Sequence, residues 1–224
     1  MRVKANDQVL CPYSPVWTLP ASRFGNNRWI FYSIKLGRLV TSYSDLEHDN
    51  CVRVEADPSV VRYCEQPLRV RVKTPSGFVT TMFDMWLMYD SGREEFREVK
   101  YLAQLKEFKV QRQIAAQRLW CERESKPHEV FDETRIRQDP LSLNNWKFIL
   151  RCLALYHRHD FTNIRAKILQ LLTSGSMSLG DLQRAITAQV HHVRTAVFTL
   201  LHDGQITAPL DRYAITSALQ VTLS

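Results

Sequence analysis

The sequence predicts an α/β fold over residues 1–159 and a small helical domain with a two-stranded ribbon over residues 160–224. Three observations predict this class. The chain has 224 residues, of which 45% are apolar and 24% charged, enough to bury a core in one domain plus a small partner or in two modest domains. Apolar and polar residues alternate over residues 60–72, as they do in strands, and two further strand-like segments follow up to residue 102. Helical spacing precedes and follows that segment.

The beginning of the chain predicts an arm, a strand and a helix. Residues 1–28 are rich in Pro, Asn and aromatic residues and predict an extended arm with turns. Residues 28–40, "RWIFYSIKLGRLV", predict a strand. Its aromatic residues either form a buried face or, beside the Lys and Arg residues, hold a nucleic-acid backbone. A Ser-x-x-Glu signature at Ser44 and the stop before Asp57-Pro58 predict a helix from about Ser44 to Glu55.

The middle of the chain predicts three strands and a basic helix. The strands are "VVRYCEQPLRVRV" (60–72), "GFVTTMFDMWLMYD" (77–90) and "EEFREVKYL" (94–102), the last two joined by a tight turn. Residues 103–125 have helical spacing. The basic face of this helix is either a solvated surface or the lining of a DNA cleft, and it comprises Lys106, Lys109, Arg112 and Arg118.

The last third of the chain predicts a winged helix. "EVFDETRI" (129–136) predicts one further strand, and residues 144–159 a helix. Three short helices follow, of which "MSLGDLQRAI" (177–186) and "VHHVRTAVFTLLHDGQI" (190–206) have helix-turn-helix spacing. "QITAPLDRYAIT" (205–216) would supply the wing.

The charge is concentrated in the first domain. The formal net charge of +7 and the pI near 9.3 indicate a polyanionic partner. Residues 160–224 contain five basic and four acidic residues, a net of +1, so +6 lies in residues 1–159. A nucleic acid would therefore be held mainly by the first domain.

Several classes of protein and site are excluded. Five cysteines without C-x-x-C spacing indicate neither a disulfide framework nor a zinc knuckle. The pairs His157/His159 and His191/His192 lack a third ligand at zinc spacing. No apolar run has the length of a signal peptide or a membrane span, so we expect a cytoplasmic protein without membrane contact.

An aspartate and an acid-x-lysine pair carry the chemistry. Residues two apart in a strand share a face, so Glu98 and Lys100 project together and pairing of the strands can bring Asp84 beside them. This arrangement is the core of a divalent-metal nuclease site, in which carboxylates bind Mg²⁺. Lys100 would orient the attacking water or offset charge on the phosphate. An exposed salt bridge of a hairpin is the alternative explanation of Glu98 and Lys100.

Glu47 has two interpretations. It lies on the helix before the strands and offers one more carboxylate to the metal. It also completes a capping box with Ser44, in which its side chain only stabilises the helix start.

The residues that carry this pattern also resemble a known family. The run "SDLEHDNCVRVEADPSVVRYCEQPLRV" (44–70), followed by "FDMW" (83–86) and "REVK" (97–100), resembles the TnsA endonuclease subunit of heteromeric transposases. The resemblance covers residues from about 28 to 125. It implies a restriction-endonuclease-like domain of the PD-(D/E)XK type with a C-terminal winged-helix domain.

The resemblance also implies residue roles. Glu47, Asp84 and Glu98 would bind the metal, with Val99 contributing its backbone carbonyl. Lys100 would be the catalytic lysine. The cofactor would be Mg²⁺, with Mn²⁺ as a possible substitute.

A division of labour follows from the same resemblance. This subunit would nick the 5′ ends of the transposon during cut-and-paste transposition, acting on double-stranded DNA in a bacterial cytoplasm. A DDE-type transposase subunit would cut and join the 3′ ends, and an AAA+ regulator ATPase would control the assembly. Two alternatives remain: a stand-alone restriction-like or repair endonuclease, and a winged-helix DNA-binding regulator.

The sequence of the C-terminal domain predicts that this domain binds another protein. Residues 190–201, the recognition helix of a winged helix, offer Arg194 as their only Lys or Arg. Readers of the major groove present several basic or amide side chains. We therefore expect this domain to contact the AAA+ regulator or the transposase, with a DNA-binding domain of low affinity as the alternative.

Overall fold

The computed structural model describes residues 11–16, 27–75 and 77–224. These residues form two compact units, one ending at residue 138 and the other comprising residues 55–58 and 139–224. The sequence places the domain boundary at 159/160, whereas the units divide at 138/139. The difference arises because the helix over 140–155 packs on the helix over 190–202. Most of the predicted N-terminal arm lies outside the described residues.

The first unit begins with a hairpin and a helix. Strands β1 (Trp29–Ser33) and β2 (Arg38–Ser42) pair antiparallel, and Gly37 between them has φ +64°. The single strand predicted over 28–40 is therefore two strands. Helix α1 (Asp45–Ala56) follows, and the Glu47 N–H donates to the hydroxyl of Ser44 at 3.1 Å.

Six further strands form a sheet and a separate ribbon. They are β3 (Val60–Glu65), β4 (Arg69–Thr74), β5 (Gly77–Met82), β6 (Met85–Tyr89), β7 (Glu94–Val99) and β8 (His128–Phe131). The sheet has the order β3-β6-β7-β8, in which only β7 and β8 are parallel. Strands β4 and β5 pair antiparallel as a two-stranded ribbon.

Two of the predicted strands are each broken in the structure. The segment 60–72 divides at Gln66, which has φ +45° and precedes Pro67. The segment 77–90 divides at Asp84. Each segment has strand-forming residues on both sides of its break, and the change of pairing partner depends on contacts distant in sequence, so the local pattern did not reveal the breaks. The two breaks lie side by side, because the Gln66 N–H donates a hydrogen bond to the Asp84 carbonyl at 2.9 Å.

Helices cover both faces of the sheet. Cys51 of α1 packs in one apolar cluster with Tyr63 and Leu87. Helix α2 (Phe108–Arg123), which begins after a 3-10 turn at Gln104–Lys106, packs on the other face. There Ala116 clusters with Trp86. The sheet is therefore the middle of three layers.

The end of the first unit differs from the predicted strand over 129–136. Strand β8 ends at Phe131, and Asp132 begins the short helix α3 (Glu133–Ile136). The Asp132 carboxylate accepts the backbone N–H groups of Thr134 and Arg135, which caps this helix.

The second unit combines four helices with a small sheet. Its elements are α4 (Pro140–Leu155), α5 (Thr162–Leu172), β9 (Met177–Ser178), α6 (Leu179–Ala185), α7 (Val190–His202), β10 (Ile206–Thr207) and β11 (Gln220–Leu223). The strands are ordered β10-β11-β9 and are antiparallel. The ribbon predicted over 205–216 is therefore wrong in its second half, because β10 pairs with residues 222–223 instead.

None of the helices in the described ranges combines the length and apolar character needed to cross a membrane.

Candidate active site

Lys100 is the meeting point of three oxygen-bearing groups. It directly follows strand β7, and its Nζ lies 2.5 Å from Glu98 Oε1 and 3.2 Å from Asp84 Oδ2. The same ammonium donates to the backbone carbonyl of Val99 at 3.1 Å. The structure therefore brings together four of the five residues that the sequence predicts.

Asp84 is fixed at both its side chain and its backbone. Its Oδ2 accepts the Val99 N–H at 2.8 Å, across the gap left where β5 ends and β6 begins. Its carbonyl accepts the Gln66 N–H at 2.9 Å. The break in the strand thus turns the Asp84 carboxylate toward the end of β7 and holds it there.

Glu98 is completely buried and receives three donors. Besides Lys100, Gln113 Nε2 donates to Oε1 at 2.7 Å and Gln117 Nε2 donates to Oε2 at 2.6 Å. Both glutamines lie on α2, one turn apart, so they reach the sheet from the same side. Neither glutamine is among the residues that the sequence predicts for the site. The signal was a pair of glutamines four residues apart on the face of α2 that carries the buried residues Val110, Ile114 and Cys121.

Glu47 stands apart from the groups that contact Lys100. Its carboxylate accepts the Tyr43 N–H at 3.0 Å and the Ser44 hydroxyl at 3.2 Å, so the predicted cap is present. Burial and then the negative charge of Asp84 raise the pKa of Glu47 to about 7, and Lys100 opposes this rise. The residue is thus electrostatically part of the site while its hydrogen bonds stabilise α1.

The positive charge of Lys100 only partly compensates the negative charge of the acids around it. Burial and the charge of Asp84 raise the pKa of Glu98 to about 8, although Lys100 and Gln117 act in the opposite direction. Burial lowers the pKa of Lys100, but Asp84 and Glu98 outweigh this effect, so the net shift is upward. Lys100 therefore stays protonated at neutral pH, and its single charge does not fully stabilise the acids around it.

The oxygen donors suit a hard divalent cation. Among the described residues, no cluster of three or more His, Cys, Asp or Glu side chains is gathered to hold a metal ion. The donors that meet at Lys100 are instead two carboxylates, from Asp84 and Glu98, and the Val99 carbonyl. Carboxylate and carbonyl oxygens are the ligands that Mg²⁺ and Mn²⁺ accept. The raised pKa values of Glu47 and Glu98 show that additional positive charge would stabilise these acids.

Comparison with known proteins agrees with this description. The α/β architecture, with a lysine and two acids at adjoining strand ends, is consistent with a nuclease-like fold. Residues 57–133 match the family model described as TnsA-like endonuclease N terminal, which supports a TnsA-like family and suggests nuclease activity. The matched segment contains Asp84, Glu98, Val99 and Lys100, whereas Glu47 precedes its first residue. No curated protein matches the chain.

Proposed function

We propose that this protein is a metal-dependent DNA endonuclease subunit of a transposase, which nicks the 5′ ends of the transposon during cut-and-paste transposition. The observation that carries the proposal is the contact of Lys100 with Asp84, Glu98 and Val99 inside the segment that matches the endonuclease model. The partners in this proposal are a DDE-type transposase and an AAA+ regulator.

Each residue of the site has a role in this chemistry. Asp84, Glu98 and the Val99 carbonyl would hold Mg²⁺, or Mn²⁺ in its place, with Glu47 as a further acid nearby. The bound ion would polarise the scissile phosphate and lower the pKa of a water molecule. Lys100, which remains protonated, orients that water or offsets the negative charge that develops on the phosphate.

Positioning groups complete the site. The amides of Gln113 and Gln117 fix both oxygens of Glu98, and the Val99 N–H fixes Asp84. Because these donors are in place before any substrate binds, the site needs little rearrangement to orient its acids.

The second unit supports a docking role within this proposal. The apolar side chains of α7, including Val193, Val197 and Phe198, are buried within the unit. Outside this buried face the helix offers the exposed Val190 and the half-buried His191 and His192, with Arg194, also half-buried, as its only Lys or Arg. A surface with so few cations is poorly suited to reading DNA. It is better suited to contacting the AAA+ regulator or the transposase.

Cleavage of transposon-end DNA with and without the partner proteins tests the proposal. The complete assembly should nick the 5′ strands in Mg²⁺ but not in Ca²⁺, and the isolated subunit should be nearly inactive. Efficient cutting by the isolated protein would favour a stand-alone restriction-like or repair nuclease. DNA binding without cleavage under every condition would favour a regulator.

A further inference from the structure

The ribbon formed by β4 and β5 has one strongly basic face. Arg69, Arg71 and Lys73 alternate along β4 with the buried Val70 and Val72, so all three cations are exposed on the same side. We propose that this face grips the sugar–phosphate backbone of double-stranded DNA beside the cleavage site. The proposal rests on the proposed endonuclease function and identifies the surface that holds its substrate.

Packing of the ribbon leaves its basic face open. Val70 and Val72 belong to the apolar cluster that includes Ala116 and Cys121 of α2. The opposite face, which carries the cations, therefore points away from α2. In the described part of the chain, none of the three cations forms an ion pair with an acid.

The ribbon offers positive charge without local competition. Residues 68–82 contain no Asp or Glu. The basic face of α2, the surface suggested for DNA by the sequence, differs in this respect because Glu107, Glu122 and Glu124 are exposed on or beside the same helix. Uncompensated cations on a surface attract a polyanion, since binding releases the counterions of the phosphates.

The spacing and order of the side chains suit a polymer of phosphates. Alternate residues of a strand lie about 6.6 Å apart, so the three cations form a regular row of positive charge, as the phosphates of a DNA strand form a regular row of negative charge. Arg71 is held over the ring of Phe78, with its guanidinium carbon 4.3 Å from the ring centroid. Phe78 itself is 57% exposed. Because this stacking already restricts the Arg71 side chain, the side chain loses less conformational entropy when DNA binds.

The ribbon leads directly to the candidate active site. Its ladder extends past β5, because the Phe83 N–H donates to the Leu68 carbonyl at 3.3 Å, and the next residue is Asp84. Thr80, which pairs with Arg71, lies four residues before Asp84, or about 13 Å along a strand. A duplex bound to the ribbon thus lies within one helical turn of the acids. This continuity favours DNA over an acidic protein surface as the partner.

Salt-dependent DNA binding by the full chain tests the proposal. Asp84→Ala is included in every protein so that no DNA is cut, and the probe is a labelled duplex carrying the transposon end. The test pair is Arg71→Gln with Lys73→Gln. The matched control is the double variant Arg158→Gln with Lys167→Gln, which removes one exposed Arg and one exposed Lys from the second unit. A conservative pair, Arg71→Lys with Lys73→Arg, keeps both charges.

We expect the test pair to reduce the slope of log affinity against log salt by about two and to weaken binding at 100 mM salt by roughly 10- to 100-fold. The control and the conservative pair should stay close to the parent. Equal losses in the test pair and the control would overturn the proposal, because net charge alone would then explain binding. Parent-like binding by the test pair, or no binding by the parent at about 50 mM salt, would also overturn it.

Failure of the ribbon proposal can be distinguished from failure of the endonuclease proposal. Cleavage of the 5′ strand of end DNA by the assembly with Asp84 intact, combined with parent-like binding by the test pair, rejects the ribbon and retains the nuclease. Weakened binding by the test pair, combined with an assembly that cuts the 3′ strand but never the 5′ strand, retains the DNA surface and rejects the nuclease.

Discussion

Lys100 is a single residue that stabilises one buried and one half-buried acid, so its side chain serves both structure and chemistry. Its ammonium contacts Glu98, which is completely buried, and Asp84, whose side chain is 14% exposed. Breaking a buried ion pair leaves an uncompensated charge, which is more costly than the loss of an exposed pair. Substitution of Lys100 should therefore affect stability as well as catalysis.

Lys100→Ala should destabilise the protein more at high pH than at low pH. The pKa of Glu98 is already raised to about 8, and loss of the lysine raises it further. At pH 6 the acid is protonated with or without the lysine. At pH 9 it ionises beside Lys100, whereas in the variant it must carry an uncompensated charge or keep a proton that the unfolded chain would release. We expect a loss of unfolding free energy of roughly 3 kcal/mol at pH 9 and a clearly smaller loss at pH 6.

Denaturant unfolding at the two pH values measures this difference. Lys126→Ala is the matched control, because Lys126 pairs with the more exposed Glu94 at 2.7 Å. This control should lose less than about 1 kcal/mol at both pH values. The electrostatic account of Glu98 is wrong if Lys100→Ala costs the same at pH 6 and pH 9.

Binding of Mg²⁺ should strengthen as the pH rises. The pKa values of Glu47 and Glu98 are raised to about 7 and about 8, so the folded protein holds protons on these acids below those values. A divalent ion must displace the protons, which weakens its binding at low pH.

Calorimetric titration should show Mg²⁺ affinity increasing on the order of tenfold or more between pH 6 and pH 8.5, with proton release near pH 7. Asp84→Ala should abolish binding at both pH values. Affinity that is independent of pH would mean that these acids are not the ligands.

In single elements, the sequence predicted which side chains lie together better than it predicted where the strands begin and end. The two-residue period of β7 correctly placed Glu98 and Lys100 on one side, because side-chain parity is a local property. The breaks at Gln66 and Asp84 depend on which strands pair over long distances, and alternation alone does not encode them. The end of β8 is different, since Asp132 is a recognisable helix cap that the sequence analysis did not use.

The local sequence pattern also did not predict that side chains of α2 form hydrogen bonds with Glu98. Gln117 is completely buried and donates both to Glu98 and to the Met82 carbonyl, at 2.6 and 3.1 Å. Only the packing of α2 on the sheet brings these groups together. Helical spacing predicts the buried face of α2 but not the strand that it contacts.

Gln117→Leu should destabilise the protein by about 1–3 kcal/mol, because a carboxylate oxygen and a buried carbonyl each lose a donor. Gln111→Leu on the exposed side of the same helix is the control and should change stability by less than about 0.5 kcal/mol. Thermal denaturation of both variants measures the difference. Equal stability of the two variants would show that the amide does not support Glu98.

At the scale of the whole molecule, charge and chemistry are unevenly distributed. Residues 160–224 carry a net charge of only +1 out of +7. The candidate site and the basic ribbon both belong to the first unit. This distribution favours a chain in which one unit handles DNA and the other contacts proteins.

Asp84→Ala should change the product of transposition without abolishing it. In the proposed assembly the DDE-type transposase cuts and joins the 3′ ends, so that step does not need Asp84. The uncut 5′ strands would keep the element joined to its donor, and the expected product is a cointegrate. A mating-out assay with a marked element distinguishes cointegrates from simple insertions. Recovery of simple insertions alone from the variant would contradict the division of labour.

Strand-resolved cleavage of transposon-end DNA tests the central claim most directly. Both strands of the end are labelled separately, and the assembly contains either the wild-type protein or Asp84→Ala, in Mg²⁺. We expect the assembly with the wild-type protein to cut the 5′ and 3′ strands, and the assembly with Asp84→Ala to cut only the 3′ strand, at an unchanged rate. Undiminished cutting of the 5′ strand by Asp84→Ala would contradict the claim that this chain is the nuclease.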